Sequence, residues 1–475
     1  MRVMLGLYPQ CDVSRIGPAW WMRMRGAVQL LAAHTLGGAA CLFAWLEQKS
    51  GSGNKSEIML YLKKYGMFLL VFSYIIGSIT GPGIWYSVTV ASPRGISGLI
   101  HNFVWLWASE WVFFFVEVIG VYAMVYLIGK IDNKTYLKLA WSFALASWAT
   151  MILIVPILSF MMWPGSDHWY STGSTFDAAF NLNYFAHLGI RTAFMFAVAG
   201  AVGGIIAATL KDRATRIEIT RFLSKMGLAG MFLMLVMFMW YTATLPENAR
   251  LIMQTQMMPQ YGSTLGALLI ATLVYFIFTA WKPMYLRQSI AVVMTLAIGL
   301  FGLWPEERSR ESMRKPYVAG QYIYSNQFFS RDVPGKGVVS DMPLLEAKGV
   351  LATNYFVPDG LRKITPENQM QAGELLTKIM CANCHSVEPN GALRPLPALF
   401  GHSDEPKMIQ AYLDGALYHG KIPYMPRMPL PEDERAAIAV YIASLSAAKA
   451  AAKATGVAEN RAAQNIDPTH AKGVN

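Results

Sequence analysis

Charge is scarce in this chain. Only 15% of its 475 residues are Asp, Glu, Lys or Arg, against about 25% in an ordinary soluble domain. That excludes a wholly water-soluble protein, and a composition of 54% hydrophobic and 13% aromatic residues points to a membrane protein instead. Cysteine is scarce as well: Cys11, Cys41, Cys381 and Cys384 are the full set, too few for a disulfide framework. The net charge of +11 is not gathered into one stripe, so nucleic acid is not expected as a partner. Residues 1–25 lack a compact apolar stretch followed by a small-residue cleavage site. Arg2, Arg15, Arg23 and Arg25 stand there instead, around Trp20-Trp21, and the first membrane helix is expected to direct insertion.

What is present is a series of eight apolar runs, at 27–46, 66–82, 102–127, 138–162, 184–209, 226–244, 264–281 and 288–304. Most approach or exceed the roughly 20 residues that cross a bilayer as a helix. Fourteen Lys and Arg residues fall in one alternating set of loops, among them Lys49, Lys63, Lys130, Arg213 and Lys282; the other set holds Arg94 and Arg250. The four N-terminal arginines oppose this bias without outweighing it. The rule that positive loops stay inside then places both termini on the outer side of a bacterial inner membrane. The fold class expected is all-α: a polytopic bundle of about eight membrane helices over residues 1–304, then a small all-α domain over 366–445. Residues 305–365, rich in Tyr and Phe, read as an ordered periplasmic strap, and 446–475 as a disordered tail.

The second domain is announced by Cys381-Ala382-Asn383-Cys384-His385. C-x-x-C-H attaches haem covalently: the thiols add to the vinyl groups and the adjacent imidazole takes the iron. A zinc site would want a second Cys/His pair, and Cys11 and Cys41 lie far upstream. Haem c is attached outside the bacterial cytoplasmic membrane, so the motif demands a periplasmic address. An even number of spans supplies it.

Residues 366–445 resemble class I cytochrome c domains. The resemblance rests on Gly373 eight residues before Cys381, on Tyr441 in the last helix, and on Pro397-Ala398-Leu399. It implies that Cys381 and Cys384 hold one haem c, that His385 ligates its iron, and that the Pro397 carbonyl accepts the His385 ring N–H. It also implies a sixth ligand from the loop before the final helix. Met425 is favoured by spacing and Met428 is the alternative; His402 and His419 are weaker candidates. A Met/His pair raises the haem potential, which suits a carrier.

Ionisable residues inside spans are candidates for function. His34 lies in span one, Glu110 and Glu117 in span three, and His187 and Arg191 near the start of span five. In the deduced orientation His34, His101 and His187 fall in the outer half, where His34 and His187 could ligate b-type haem and His101 less readily. Gly37-Gly38 beside His34 would let a flat macrocycle approach the backbone. Glu110 and Glu117, two turns apart on one face, could pass protons. Arg191 could offset a haem propionate or pair with Glu110.

Spans one to six resemble subunit I of cytochrome bd-type quinol oxidases, through His34, Gly81-Pro82-Gly83, Glu110 and Glu117 among aromatics, Trp163-Pro164 and His187. By that resemblance His34 and His187 are haem b ligands and the glutamates belong to a proton route. The long quinol-binding loop after span six is absent, and spans seven and eight lack His and Glu. The expectation is an electron-transfer protein carrying one haem c and one or two b haems. It would pass electrons between quinol and a periplasmic cytochrome or other redox partner, alongside other membrane subunits and lipid. A bd-type oxygen reductase subunit and a non-catalytic membrane-anchored cytochrome are the rival readings.

Overall fold

The computed structural model describes residues 18–49, 55–387, 391 and 393–447. Cys11, Arg2, Arg15 and the tail beyond 447 lie outside them. Eight helical stretches there are long and apolar enough to cross a membrane, and they take up the eight apolar runs in order. They are α1 (Pro18–Lys49); α2 (Lys55–Phe72) continued through a π-helical turn into α3 (Ser78–Ala91); α4 (Pro93–Tyr126); and α5 (Asn133–Met162). After the short α6 (His168–Thr172) and α7 (Thr175–Ala179) come α8 (Leu182–Ala207) and α9 (Arg213–Thr244). The last two spans are α10 (Glu247–Ile252) running into α11 (Met258–Trp281), and α12 (Gln288–Ile298) running into α13 (Trp304–Met313).

Helix α8 is the centre of the bundle, packing against α2, α5, α9 and α12. Its sequence from Ala197 to Gly204 is built almost wholly of Ala, Gly and Val, and small residues let backbones approach where lipid offers no hydrophobic drive to associate. The neighbours use that proximity: the Tyr61 hydroxyl donates to Gly203 O at 3.3 Å and the Tyr65 hydroxyl to Ala199 O at 3.2 Å. Polar caps start the helices from the loops. Asp132, Asn181 and Asp212 each accept a backbone N–H three residues on, filling donors that a helix N-terminus leaves unpaired. Helix α4 is kinked at Phe103.

Of the 305–365 stretch, residues 317–340 belong to the bundle unit, while 341 onward belong to the second unit. A two-stranded ribbon pairs β1 (Tyr317–Ala319) with β2 (Ile323–Tyr324). Tyr322 and Ile323 are buried among Leu99, Phe103, Phe160 and Trp169. Arg94 is buried under this stretch, donating to Gln327 O and lying 3.6 Å from the Phe329 ring centre. The span before it is longer than its apolar run: the helix continues past Leu303 through α13 to Met313.

The chain divides into two compact units, one of which is Trp21–Ser340; the other includes Asp341 onward. The second unit contains α14 (Met342–Thr353), α15 (Gln369–Cys381), α16 (Leu396–Leu399), α17 (Pro406–Tyr412) and α18 over 432–447. Helices α15 and α18 cross at Gly373, where an added Cβ would meet the Ala437 carbonyl and lie 3.0 Å from the Tyr441 Cβ.

Candidate haem sites

In the second unit the attachment motif forms a tight turn at the end of α15. The Cys384 and His385 amides both donate to Cys381 O, at 3.1 and 3.0 Å. That brings two reduced thiols and an imidazole to one edge. Burial, with the neighbouring Cys384 thiol adding to it, pushes the Cys381 thiol up to about 12. The His385 Nδ1 lies 3.1 Å from a carbonyl oxygen, which directs Nε2 to an iron. These donors fit a covalent haem.

The carbonyl belongs to Arg394 and not to Pro397. The Pro397 oxygen is spent inside its own turn, accepting from His402 N at 2.8 Å and Phe400 N at 3.3 Å. Three residues of register separate the two, a difference that matching the P-x-L pattern alone did not detect. His402 and His419 are both exposed. On the loop before α18, Met425 is half-buried, while Met428 is buried and its amide donates to Leu417 O at 2.9 Å.

In the membrane bundle, His34, His187 and Arg191 are each buried and close enough to act on one another electrostatically. His34 Nδ1 bonds Leu30 O at 2.7 Å, leaving Nε2 as the atom for an iron, and its ring meets Phe194 edge-on at 5.4 Å. The Arg191 Nε donates to His187 Nε2 at 3.1 Å, so Arg191 faces His187 and not Glu110. His187 Nδ1 and Arg191 Nη2 are buried with no hydrogen-bond partner among the described residues. Buried polar atoms of this kind are expected to be satisfied, and an imidazole nitrogen beside a guanidinium suits a haem iron with its propionate.

Two expectations are corrected. His101 is exposed, its Nδ1 bonded to Ser97 O at 2.7 Å, and it does not join His34 and His187. Gly37-Gly38 is not an open approach for a macrocycle: a Cβ on Gly38 would meet the Met195 carbonyl and Ala199, and one on Gly37 would lie 3.5 Å from Ser147 Oγ. These glycines seat α1 against α8 and α5. Glu117 is buried and accepts from the Ser147 hydroxyl; Glu110 is half-buried and near enough to influence it.

The largest addition lies on α13. Glu307, Arg310, Glu311 and Arg314 are all buried. Arg310 donates to both Glu307 oxygens, Arg314 to Glu311, and Arg314 Nη1 to Val318 O at 3.0 Å. Glu306, Glu307 and Arg310 act electrostatically on Arg191, and Glu307 lies 3.5 Å from a Cβ built on Gly26 of α1. The end of the bundle that lacked acidic residues by its apolar runs therefore has them one turn further on. The signal was available: Glu307/Arg310 and Glu311/Arg314 are i,i+3 pairs that favour continuing the helix.

Residues 368–442 match the family model for cytochrome c oxidase, cbb3-type, subunit III. No curated protein matches the chain. Among solved structures, the chain is similar to the bd oxidase from Geobacillus thermodenitrificans, with a TM-score of 0.52 and 14% identity, over 69% of this chain and 92% of that one. The chain thus joins a bd oxidase-like membrane helix bundle to a C-terminal cytochrome c domain.

Proposed function

We propose that this protein is a quinol-oxidising electron-transfer protein of the bacterial inner membrane, with its cytochrome c domain in the periplasm. The observation that carries the reading is the pairing, in one chain, of the Cys381/Cys384/His385 turn with a buried His34/His187/Arg191 cluster that holds two unsatisfied polar atoms. Cys381 and Cys384 would hold one haem c, with His385 and Met425 as axial ligands. His34 and His187 would ligate b-type haem, and Arg191 would neutralise a propionate.

When bound, the haems supply one-electron acceptors that split the two-electron oxidation of quinol. The chain's own residues do the rest. Quinol gives up two protons with its two electrons. Glu117, buried and bonded to Ser147, and Glu110 one face with it would receive and pass them, since a carboxyl inside a bundle exchanges a proton where water is scarce. The two electrons would leave through the c domain to a periplasmic cytochrome or another redox partner. The positive-inside bias of the loops supports the periplasmic address of that domain.

Pyridine haemochrome quantification of the purified protein tests the reading. One haem c with one or two haems b is expected, and His34→Ala and His187→Ala should each remove b signal while leaving c intact. One haem c with no haem b would overturn the relay.

A further inference from the structure

Helix α14 lies outside the residues that match the cytochrome c family model, yet it is built into that unit. Leu345, Val350 and Leu351 are buried, and α14 packs against α15. The Glu434 carboxylate, from the start of α18, accepts from Val350 N at 2.9 Å and Leu351 N at 2.7 Å. It is seated against Gly349, whose φ of +73° places its backbone where L side chains are strained. The helix is thereby fixed to α18.

From that fixed helix Glu346 reaches the methionine loop. Its Oε1 accepts from the Tyr418 hydroxyl at 2.8 Å, and its Oε2 lies 3.4 Å from Arg427 Nη2. Arg427 stands between Met425 and Met428 and donates through Nε to Tyr418 O at 3.1 Å. One carboxylate thus closes a ring that joins Tyr418, before the loop, to Arg427, within it. Met428 N, bonded to Leu417 O, anchors the far side. Among the described residues, the span that carries Met425 has one backbone bond, Met425 N to Ile422 O at 3.2 Å, so its placement depends on side chains such as these.

We propose that Glu346 of α14 is a positioning residue for the axial methionine, holding the loop over the haem c iron through Tyr418 and Arg427. This rests on the reading of Met425 as the sixth ligand. A thioether is a weak iron ligand, so how long it stays bound depends on how firmly its loop is held. The element that joins the membrane unit to the cytochrome domain would in this way set the ligation of the haem it delivers.

The test uses the full chain in detergent. Near-infrared magnetic circular dichroism reads the methionine–iron signature of ferric haem c, and added imidazole displaces the ligand. Glu346→Gln is expected to keep the signature but to lower the half-displacing imidazole concentration by roughly two- to fivefold, the range for a half-exposed ion pair. Glu346→Asp should fall between it and the parent. Glu405→Gln, an exposed carboxylate of the same unit, should match the parent. The proposal is overturned if Glu346→Gln displaces at the parent concentration, or if Glu405→Gln shifts equally. It is also overturned if the denaturation midpoint of Glu346→Gln falls in step, which would mean general loosening. Met425→Ala tests the underlying reading separately: it should abolish the signature. If Met428→Ala does so instead, the ligand assignment fails while the Glu346 titration still judges the positioning.

Discussion

Gly373→Ala sets two effects of known sign against each other. Gly373 lies inside α15, and alanine there gains about 1 kcal/mol of helix propensity over glycine. The added methyl, however, would meet the Ala437 carbonyl oxygen, lie 2.8 Å from the Ala437 carbonyl carbon and 3.0 Å from the Tyr441 Cβ. These are backbone and Cβ atoms of α18, so no flexible side-chain end can swing aside. The two helices must separate across a contact that buries Ala372, Leu376, Ala437 and Ile438. Overpacking of this kind costs about 1–3 kcal/mol, and the lost helix contact comes on top of it. The net expected is a destabilisation of about 1–2 kcal/mol, or a fall of roughly 4–16 °C in melting temperature for a domain of this size. Thermal melts of the haem c unit in the full chain, followed at its Soret band, measure it. Gly360→Ala, where a Cβ meets nothing within 4 Å, is the control. An unchanged or raised melting temperature in Gly373→Ala would refute the claim that the helix crossing requires glycine.

Gly38→Ala should likewise loosen the α1–α8 contact and lower b haem content, whereas Gly81→Ala, where a Cβ meets nothing within 4 Å among the described residues, should leave both unchanged; haem quantification and a detergent melt compare them. Arg310→Leu leaves Glu307 buried without its partner, while Glu311 keeps Arg314, and a broken buried ion pair costs about 3–5 kcal/mol; a melt unaffected by it would show the ladder to be hydrated. The Glu434 carboxyl is pushed up from 4.5 to about 7 by burial, which outweighs the bonds from Val350 and Leu351. Its folded value lies above its unfolded one, so the stability it contributes is full below 4.5 and lost as pH rises to about 7, up to about 3 kcal/mol. Denaturant titrations of the parent against Glu434→Gln should show the pH slope in that window shrink in the variant; an equal slope would assign it elsewhere.

How much could be read beforehand differs by physical cause. Eight spans were legible because an apolar run of bilayer length is a strong signal and needs no partner. The attachment turn was legible because its chemistry fixes five ordered positions. The acceptor for His385 was not: Arg394 and Pro397 both precede α16's end, and only the fold of the turn decides which oxygen faces the ring. His101 shows the same limit for helices. Its depth in the membrane matched that of His34 and His187, but depth does not give azimuth, and α4 turns it outward to Ser97. The Gly37-Gly38 pair read as room for a ligand because glycine marks close approach without saying of what. Here the approaching group is another helix.

The end of span eight carries a wider consequence. Hydropathy closed that span at Trp304, since four buried ionisable residues within the next ten look like water-exposed sequence. They can be buried because their charges alternate along one helix, Glu307, Arg310, Glu311, Arg314, each bonded to a neighbour a turn away. Buried charges that satisfy one another are tolerable where single ones are not. Arg191 of α8 is acted on electrostatically by Glu306, Glu307 and Arg310, donates to the His187 imidazole, and has Nη2 without a hydrogen-bond partner among the described residues. Arg314 Nε in the ladder is likewise buried without a hydrogen-bond partner among the described residues, so what sets Arg191 apart is the imidazole it faces. A guanidinium beside a buried histidine suits an anionic group, and this is the ground for testing His34 and His187 first as the ligands of the proposed b haem.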